Sequence, residues 1–119
     1  MIQSLFNIDL PLIQAPMAGV QNVELAASVC EAGGLGSLPC AMLSPAQLVE
    51  QLDLLTQKTD KPFNLNFFCH SVTDYTSQQK QQWHNMLTPY FAEYEIDPQS
   101  LTAGASRQPI NQAVVDIIA

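Results

Sequence analysis

The chain has 119 residues, of which 47% are hydrophobic, and a formal net charge of −7 at pH 7. This length permits one small domain with a real core, but a closed eight-stranded barrel takes ~250 residues. The acidic balance argues against a nucleic-acid or anionic-membrane partner. No apolar run approaches the ~20 residues of a membrane span, and the cysteines lack C-x-x-C spacing. We therefore expect a soluble, cytoplasmic protein with reduced thiols.

The chain opens with a lead-in and one strand–helix–strand unit with parallel strands. Residues 1–11 carry irregularly spaced apolar side chains, which fit a short strand or a cap over one end of a sheet. Leu12-Ile13-Gln14 is typical of a buried strand, and Asn22 can cap the helix that follows. Gly33-Gly34 is a glycine stop for that helix, and Leu35–Leu38 predicts the second strand. The apolar face of the helix is formed by Leu25, Ala26, Val29 and Cys30.

The turn after the first strand, residues 15–19 with the sequence APMAG, is the most informative stretch. Proline removes a ladder donor there, and glycine permits unusual backbone angles. Small residues at the carboxyl end of a parallel strand let backbone amides approach a flat or anionic ligand, and α/β proteins bind ligands at that end. The alternative is a tight connection in which Met17 fills a gap in the core. The residues alone leave both interpretations open.

A second helix and a third strand follow. Ser44 is the predicted N-cap, Pro45 takes the first helical position, and Gln47 can reach back to the cap. The helix has a buried stripe at helical spacing, formed by Leu48, Leu52 and Leu55. Residues 63–68 alternate with period two, so that Phe63, Leu65 and Phe67 share one face and Asn64, Asn66 and Phe68 share the other.

Asn66 stands near the carboxyl end of the third strand, where a buried amide must find hydrogen-bond partners. The edge of a flavin or nucleotide ring would satisfy it, and so would neighbouring loop backbone. Cys69 and His70 come next, but adjacent residues at a strand end point in opposite directions and cannot easily act as a pair. Only His84 remains as a second imidazole, so a zinc site lacks ligands. We expect Cys69 to be a packing residue, His70 to lie in a loop, and no metal to bind.

Residues 71–109 break the alternation of strands and helices and predict a helical insertion that packs over the sheet. Residues 77–83 are helical and largely polar. An aromatic stripe typical of a docking face follows, and Pro89 predicts a kink or a turn within it. The stripe comprises Trp83, Met86, Leu87, Tyr90, Phe91 and Tyr94. Residues 102–107 predict a flexible connector.

A last amphipathic helix begins after Pro109 and runs to Ala119. Its apolar residues are Ile110, Ala113, Val114, Ile117 and Ile118. It has no glycine, cap or basic last turn, and a helix of this kind normally leads into another strand. We therefore expect these residues to be the opening third of a longer α/β barrel.

Three segments, in this order and spacing, resemble nitronate monooxygenases, formerly called 2-nitropropane dioxygenases. They are LIQAPMAG at 12–19, EAGGLGSL at 31–38 and DKPFNLNFF at 60–68, and the resemblance runs over nearly the whole chain. FMN-dependent enoyl-acyl-carrier-protein reductases and quinone reductases share the AGGLG pattern. They usually carry Gly-Gly-Met where this chain has Ala15-Pro16-Met17, which favours the nitronate branch.

The resemblance implies an FMN-binding TIM barrel that oxidises alkyl nitronates, such as propionate 3-nitronate, with dioxygen. Residues 1–119 would be the N-terminal part of that single domain, the first βα units of a truncated (β/α)8 barrel, with the helical insertion at 71–109. Family members hold the flavin ring against the turn that here comprises Ala15, Pro16, Met17, Ala18 and Gly19. Asn66 is similar to the family's flavin-contacting asparagine.

The resemblance also implies that important parts of the site lie elsewhere. The family's catalytic histidine belongs to a fourth strand, beyond Ala119, and the phosphate grip of such barrels comes from the loops after strands seven and eight. Neither His70 nor His84 matches the catalytic position, so we assign no catalytic residue and expect the chain alone to be inactive.

Two alternatives stay open at this point. One is an FMN-dependent reductase of enoyl thioesters or quinones, and the other is a non-catalytic remnant or interaction module. We also expect association of the chain with itself, because unpaired strand edges and apolar surface would be exposed.

Overall fold

The computed structural model describes residues 1–72, 74–101 and 107–119, which fall into two compact units. The first unit comprises Met1–His70 and Arg107–Ala119, and the second lies within Ser71–Ser106. In chain order the elements are α1 (Ile2–Phe6), α2 (Val23–Glu31), β1 (Gly36–Pro39), α3 (Pro45–Thr56), β2 (Phe63–Asn66), α4 (Ser77–Glu93), a 3₁₀ turn (Pro98–Ser100) and α5 (Gln112–Ile118). Of the helices in the described part of the chain, none is both long and apolar enough to span a membrane.

The sheet of the first unit is parallel. β1 and β2 pair with Gly36 opposite Phe63 and Pro39 opposite Asn66. On the other side of β1, Ile13 makes an isolated parallel bridge to Leu35. The α/β class with parallel strands is thus confirmed, but the first predicted strand is reduced to one bridge. The continuation of this sheet into a closed barrel stays a prediction.

The helices α2 and α3 begin and end where the sequence predicts. Asn22 caps α2, since its Oδ1 accepts from the Leu25 N–H at 3.2 Å. Gly33 ends α2 with a φ of +93°, a conformation that favours glycine. At the start of α3, the Gln47 N–H donates to Ser44 Oγ at 3.3 Å and the Ser44 N–H donates to Gln47 Oε1 at 2.9 Å. This reciprocal pair is a capping box.

The core lies between these two helices and one face of the sheet. Its buried members are Val23, Ala26, Ala27, Leu38, Cys40, Leu48 and Leu55. The apolar face of β2 packs against this cluster through Phe63 and Leu65, and Asn64 and Asn66 therefore lie on the opposite face. Leu25, which we expected in the buried face of α2, is 38% exposed. The helix turns Val23 and Ala27 inward instead.

Two further expectations are wrong. Of the two alternatives for the lead-in, the strand is wrong: residues Ile2–Phe6 form the short helix α1, and Asn7 ends it with a left-handed φ of 53°, while the alternative of a cap stays open. The N–H groups of Asp9 and Leu10 then both donate to the Gly33 carbonyl, at 2.9 and 2.8 Å, which ties the lead-in to the end of α2. Cys69 is exposed rather than packed, because the alternation of β2 ends before it.

The second unit contains α4 and the 3₁₀ turn. Thr76 and Gln79 form a capping box at the start of α4. The helix continues through Pro89 to Glu93, so the predicted turn at Pro89 is wrong. Four side chains of the aromatic stripe are more than half exposed, namely Trp83, Met86, Tyr90 and Tyr94. Most of the predicted connector, residues 102–106, lies outside the described residues.

The chain then returns to the first unit. The Ile110 N–H donates to the Phe68 carbonyl at 2.8 Å, just beyond β2. Asn111 caps α5, since its Oδ1 accepts from the Val114 N–H at 3.0 Å. Val114 and Ile117 pack against the core. The predicted amphipathic helix after Pro109 is thus confirmed.

Candidate functional site

The turn of residues 15–19 follows the bridged segment at the edge of the sheet where β1 and β2 also end. In parallel sheets this carboxyl edge is the one that binds ligands. Ala15, Ala18 and Gly19 are exposed, and Met17 is 41% exposed. Met17 therefore does not fill a gap in the core, although the turn itself is a tight connection.

The backbone of this turn is defined by Gly19. The Val20 N–H donates to the Met17 carbonyl at 3.3 Å, and Gly19 has a φ of +81°. These are features of a type II turn, which favours glycine at its third position. A Cβ on Gly19 would meet no atom within 4 Å. The glycine is required by its backbone angle, and the space above it is open.

Polar side chains fill the space between the turn and the sheet. Gln21 Oε1 accepts from the Met17 N–H at 2.6 Å, and Gln21 Nε2 donates to the Ser37 carbonyl at 2.6 Å. Gln14 Nε2 donates to Gln21 Oε1 at 3.0 Å, and Asn64 Nδ2 donates to Ser37 Oγ at 3.2 Å. Ser37 is fully buried beneath them. These polar residues connect the turn to β1 and β2.

A cavity of about 210 Å³ borders the turn. It is lined by Ala18, Gly19, Gln21, Leu38, Pro39, Met42, Leu43 and Gln51. The cavity joins the turn to the loop that follows β1, and it is smaller than the ~300–1,000 Å³ of typical small-molecule sites. It is a recess at the carboxyl edge rather than an enclosed pocket.

Asn66 ends β2 on the same edge but does not line that recess. Its carbonyl accepts from the Cys40 N–H at 2.9 Å. Its side chain is half-buried and makes no hydrogen bond to the described residues. The turn and Asn66 therefore share an edge of the sheet, with β1 between them.

The thiol of Cys40 is buried, and the N–H of this residue donates to the Asn66 carbonyl. Burial raises the pKa of the Cys40 thiol to about 11, although a hydrogen bond with the Asn66 backbone acts in the opposite direction. At neutral pH the thiol is therefore protonated, and only the thiolate is reactive.

Within the described residues, no three His, Cys, Asp or Glu side chains lie close enough to hold a metal ion.

Sequence reasoning missed Gln14, Gln21 and Ser37. Their local signal is the proline at position 16, which removes the donor that would pair with β1. The proline shows that a carbonyl of β1 lacks its main-chain donor, but it does not show which side chain replaces that donor.

Parallel strands joined by helices define an α/β protein, and the open glycine turn lies at the carboxyl edge of its sheet, the edge where proteins of this class usually bind ligands. The model of the nitronate monooxygenase family matches residues 1–104, and the chain belongs to this family. This confirms the resemblance of the three sequence segments.

Two relatives named nitronate monooxygenase illustrate the match. The protein of Paraburkholderia phytofirmans is 45% identical over 94 residues, which cover 79% of this chain and 26% of that protein. The protein of Pseudomonas aeruginosa is 39% identical over 94 residues, covering 79% of this chain and 27% of that protein. The chain thus spans about a quarter of the length of these relatives.

Two solved structures are similar to this chain in their fold. Nitroalkane oxidase from Streptomyces ansochromogenes matches with a TM-score of 0.62 and 31% identity, covering 96% of this chain and 31% of that one. FabK from Thermotoga maritima matches with a TM-score of 0.55 and 32% identity, covering 80% of this chain and 27% of that one.

Proposed function

We propose that this chain forms part of an FMN-dependent enzyme that oxidises alkyl nitronates, of the propionate 3-nitronate type, with dioxygen. Its share of that enzyme is the seat for the flavin ring, formed by the turn of residues 15–19 and by Asn66. Membership of the nitronate monooxygenase family supports the reaction. The observation that carries the seat is the open turn, where nothing lies within 4 Å of a Cβ on Gly19.

The described residues suit a flavin ring. A flat ring needs a wall without projecting side chains, and Ala15, Ala18 and Gly19 supply one. The ring edge offers both donors and acceptors, and the half-buried amide of Asn66 can pair with either. We assign ring contacts to these residues on that ground.

Two of the basic residues are poorly placed for the FMN phosphate. Lys58 lies 3.5 Å from the Glu24 carboxylate, and Lys61 donates to the Glu31 carbonyl at 3.3 Å. Both lie between α3 and β2, at the amino edge of the sheet, opposite the turn. We therefore assign neither lysine to the phosphate.

When bound, FMN supplies the transfer of electrons from the nitronate to dioxygen. The residues of this chain bind and orient the flavin. The turn of residues 15–19 supports the plane of the ring, and the side-chain amide of Asn66 forms hydrogen bonds to the edge of the ring. We assign no catalytic acid or base to these 119 residues. The free thiols and the acidic surface fit a cytoplasmic enzyme with small-molecule partners.

Titration of the ¹⁵N-labelled chain with FMN tests the seat. We expect amide shifts at Ala15, Met17, Ala18 and Gly19 and at the side-chain amide of Asn66. The substitution Asn66→Ala should reduce the shifts at the turn, and Asn85→Ala, in the second unit, is the matched control. A spectrum in which FMN leaves the turn unchanged would overturn the proposed site.

Activity is tested in the protein expressed with whatever coding sequence follows Ala119. Consumption of oxygen with propionate 3-nitronate supports the proposed reaction. Consumption of NAD(P)H with an enoyl thioester or a quinone, and none of oxygen with nitronate, would support the reductase instead. The AGGLG sequence at residues 32–36 keeps that second candidate open. A protein that does neither would be the non-catalytic remnant or interaction module.

A further inference from the structure

Backbone pairing between the first segment and β1 stops abruptly. The Leu35 N–H donates to the Leu12 carbonyl at 2.9 Å, and the Gln14 N–H donates to the Leu35 carbonyl at 2.9 Å. A regular parallel ladder would continue with bonds from the Ser37 N–H to the Gln14 carbonyl and from the residue 16 N–H to the Ser37 carbonyl. Residue 16 is proline, which has no N–H. The Ser37 carbonyl therefore has no main-chain donor in the first segment, and the Ser37 N–H bonds to the side chain of Gln14 rather than to its carbonyl.

Two glutamine side chains take the place of the missing partners. The Ser37 N–H donates to Gln14 Oε1 at 3.3 Å. The Ser37 carbonyl accepts from Gln21 Nε2 at 2.6 Å and from Gln14 Nε2 at 3.4 Å. Ser37 has no exposed surface, so its backbone groups need partners within the protein. Both are satisfied by side-chain amides.

Gln21 also reaches the turn itself. Its Oε1 accepts from the Met17 N–H at 2.6 Å while its Nε2 donates to Ser37. A carboxamide has an acceptor oxygen and two donor hydrogens, so one side chain can bond in both directions. Gln21 also lines the recess together with Ala18 and Gly19. The amide therefore connects the turn directly to the strand beneath it.

We propose that Gln21 is a positioning residue that fixes the turn of residues 15–19 above β1 and so presents the backbone of Ala18 and Gly19 to the flavin ring. This inference rests on the proposed function. A turn that is already held in place loses little conformational freedom on binding, which favours affinity. Gln21 acts through the turn and need not contact the ring.

The bond to the turn is tested without any flavin. Hydrogen exchange of the Met17 amide should be protected in the wild-type chain. The substitution Gln21→Ala removes the acceptor and should accelerate this exchange at least ~tenfold. Gln21→Glu keeps an acceptor oxygen for Met17 and should stay within ~threefold of the wild type. Gln57→Ala, an exposed glutamine at the end of α3, is the matched control and should change nothing.

The effect on the seat is then measured with FMN. Gln21→Ala should reduce the FMN-induced shifts of Ala18 and Gly19 and raise the Kd for FMN at least ~fivefold, with Gln57→Ala unchanged. Gln21→Glu places a carboxylate against the Ser37 carbonyl, and it should weaken FMN binding even though Met17 stays protected. General destabilisation of the protein would not weaken FMN binding while leaving the Met17 amide protected from exchange. If Gln21→Ala does not fold, Gln21→Leu, which keeps the size of the side chain but has no acceptor oxygen, replaces it in both measurements.

The outcomes separate the two proposals. If FMN leaves the wild-type turn unchanged, the proposed function fails, and the positioning role fails with it. If FMN shifts the wild-type turn but binds both Gln21 variants equally well, the flavin seat stands and the role of Gln21 is overturned. Unchanged exchange at Met17 in Gln21→Ala would overturn the bond on which the role depends.

Discussion

Gly36 lies directly against the carbonyl oxygen of Ala26, at the point where β1 crosses α2. A Cβ on Gly36 would overlap that oxygen and would lie 2.7 Å from Cys30 Sγ. Ala26 and Cys30 have no exposed surface, so neither can move outward without opening the core. The backbones of the helix and the strand are thus in close contact at the amino end of β1.

Gly36→Ala should be strongly destabilising, because its methyl group meets backbone rather than a flexible side chain. We expect a loss of about 3 kcal/mol or more in the free energy of unfolding, measured by urea denaturation with circular dichroism. Gly19→Ala is the comparison, since space there is open and only its φ of +81° opposes a side chain. Gly19→Ala should lower the free energy of unfolding by ~1–2 kcal/mol. Equal losses would contradict the packing explanation.

Ser44→Ala should remove one half of the capping box at the start of α3. We expect a loss of ~1 kcal/mol in the free energy of unfolding, because the Gln47 N–H loses its acceptor. Ser28→Ala is the control: the Ser28 hydroxyl donates back to the Glu24 carbonyl at 2.7 Å within α2. Such a bond within a helix adds little stability, so the control should be nearly neutral.

The cysteines should differ in their reaction with a thiol reagent. Cys69 is exposed and should react first, whereas Cys30 and Cys40 are buried. Burial raises the pKa of Cys30 and raises that of Cys40 to about 11, so both stay protonated at pH 8. Their slow reaction should accelerate as the pH rises towards 10 and the thiolate fraction grows. A fast phase that survives Cys69→Ser would contradict this order.

The isolated chain should bind FMN weakly, because its assigned contacts reach only the ring. The dissociation constant should lie in the ~millimolar range, and riboflavin should bind within ~threefold of FMN. Measurement of both by the amide shifts of the turn provides the comparison. A protein that stays yellow after gel filtration, or a strong preference for FMN, would reveal a phosphate site in these 119 residues.

The exposed face of α4 should promote association of the chain with itself. Trp83 is 60% exposed, Tyr90 is 56% exposed, and both lie on one face of the helix. We expect sedimentation velocity to show a larger average mass at higher concentration, and Trp83→Glu with Tyr90→Glu to reduce it. Gln81→Glu with Asn85→Glu adds the same charge to polar positions as a control. A monomer at all concentrations would contradict the expectation.

Local sequence chemistry predicted the elements of the first unit well. Asn22, Ser44 and Gly33 mark helix ends through hydrogen bonds or backbone angles that involve only neighbouring residues. Failures occurred where distant contacts decide. Leu25 is as apolar as Val23, but only the position of β1 determines which of them is buried. Pro89 is a different case, since α4 continues through it without any buried residue, although proline usually interrupts a helix.

The candidate site likewise has one part that the sequence predicted and one part that it did not. The sequence indicated a turn of small residues at 15–19 and an amide at Asn66, and the structure places both at the carboxyl edge of the sheet. Their roles as ring contacts stay predictions. The part that sequence reasoning missed is the polar support beneath the turn, because Gln14 and Gln21 are unremarkable as isolated residues.

The sequence by itself determined the alternation of α2, β1, α3 and β2 and the caps of the two helices, because caps, glycine stops and periodicity act over a few residues. The resemblance of three segments indicated the family. Only the tertiary structure decided that the amides of Gln14 and Gln21 replace the ladder that Pro16 ends, since their partner Ser37 lies 23 and 16 positions away along the chain. Such long-range hydrogen bonds depend on where the fold places the two segments, and no local pattern encodes that.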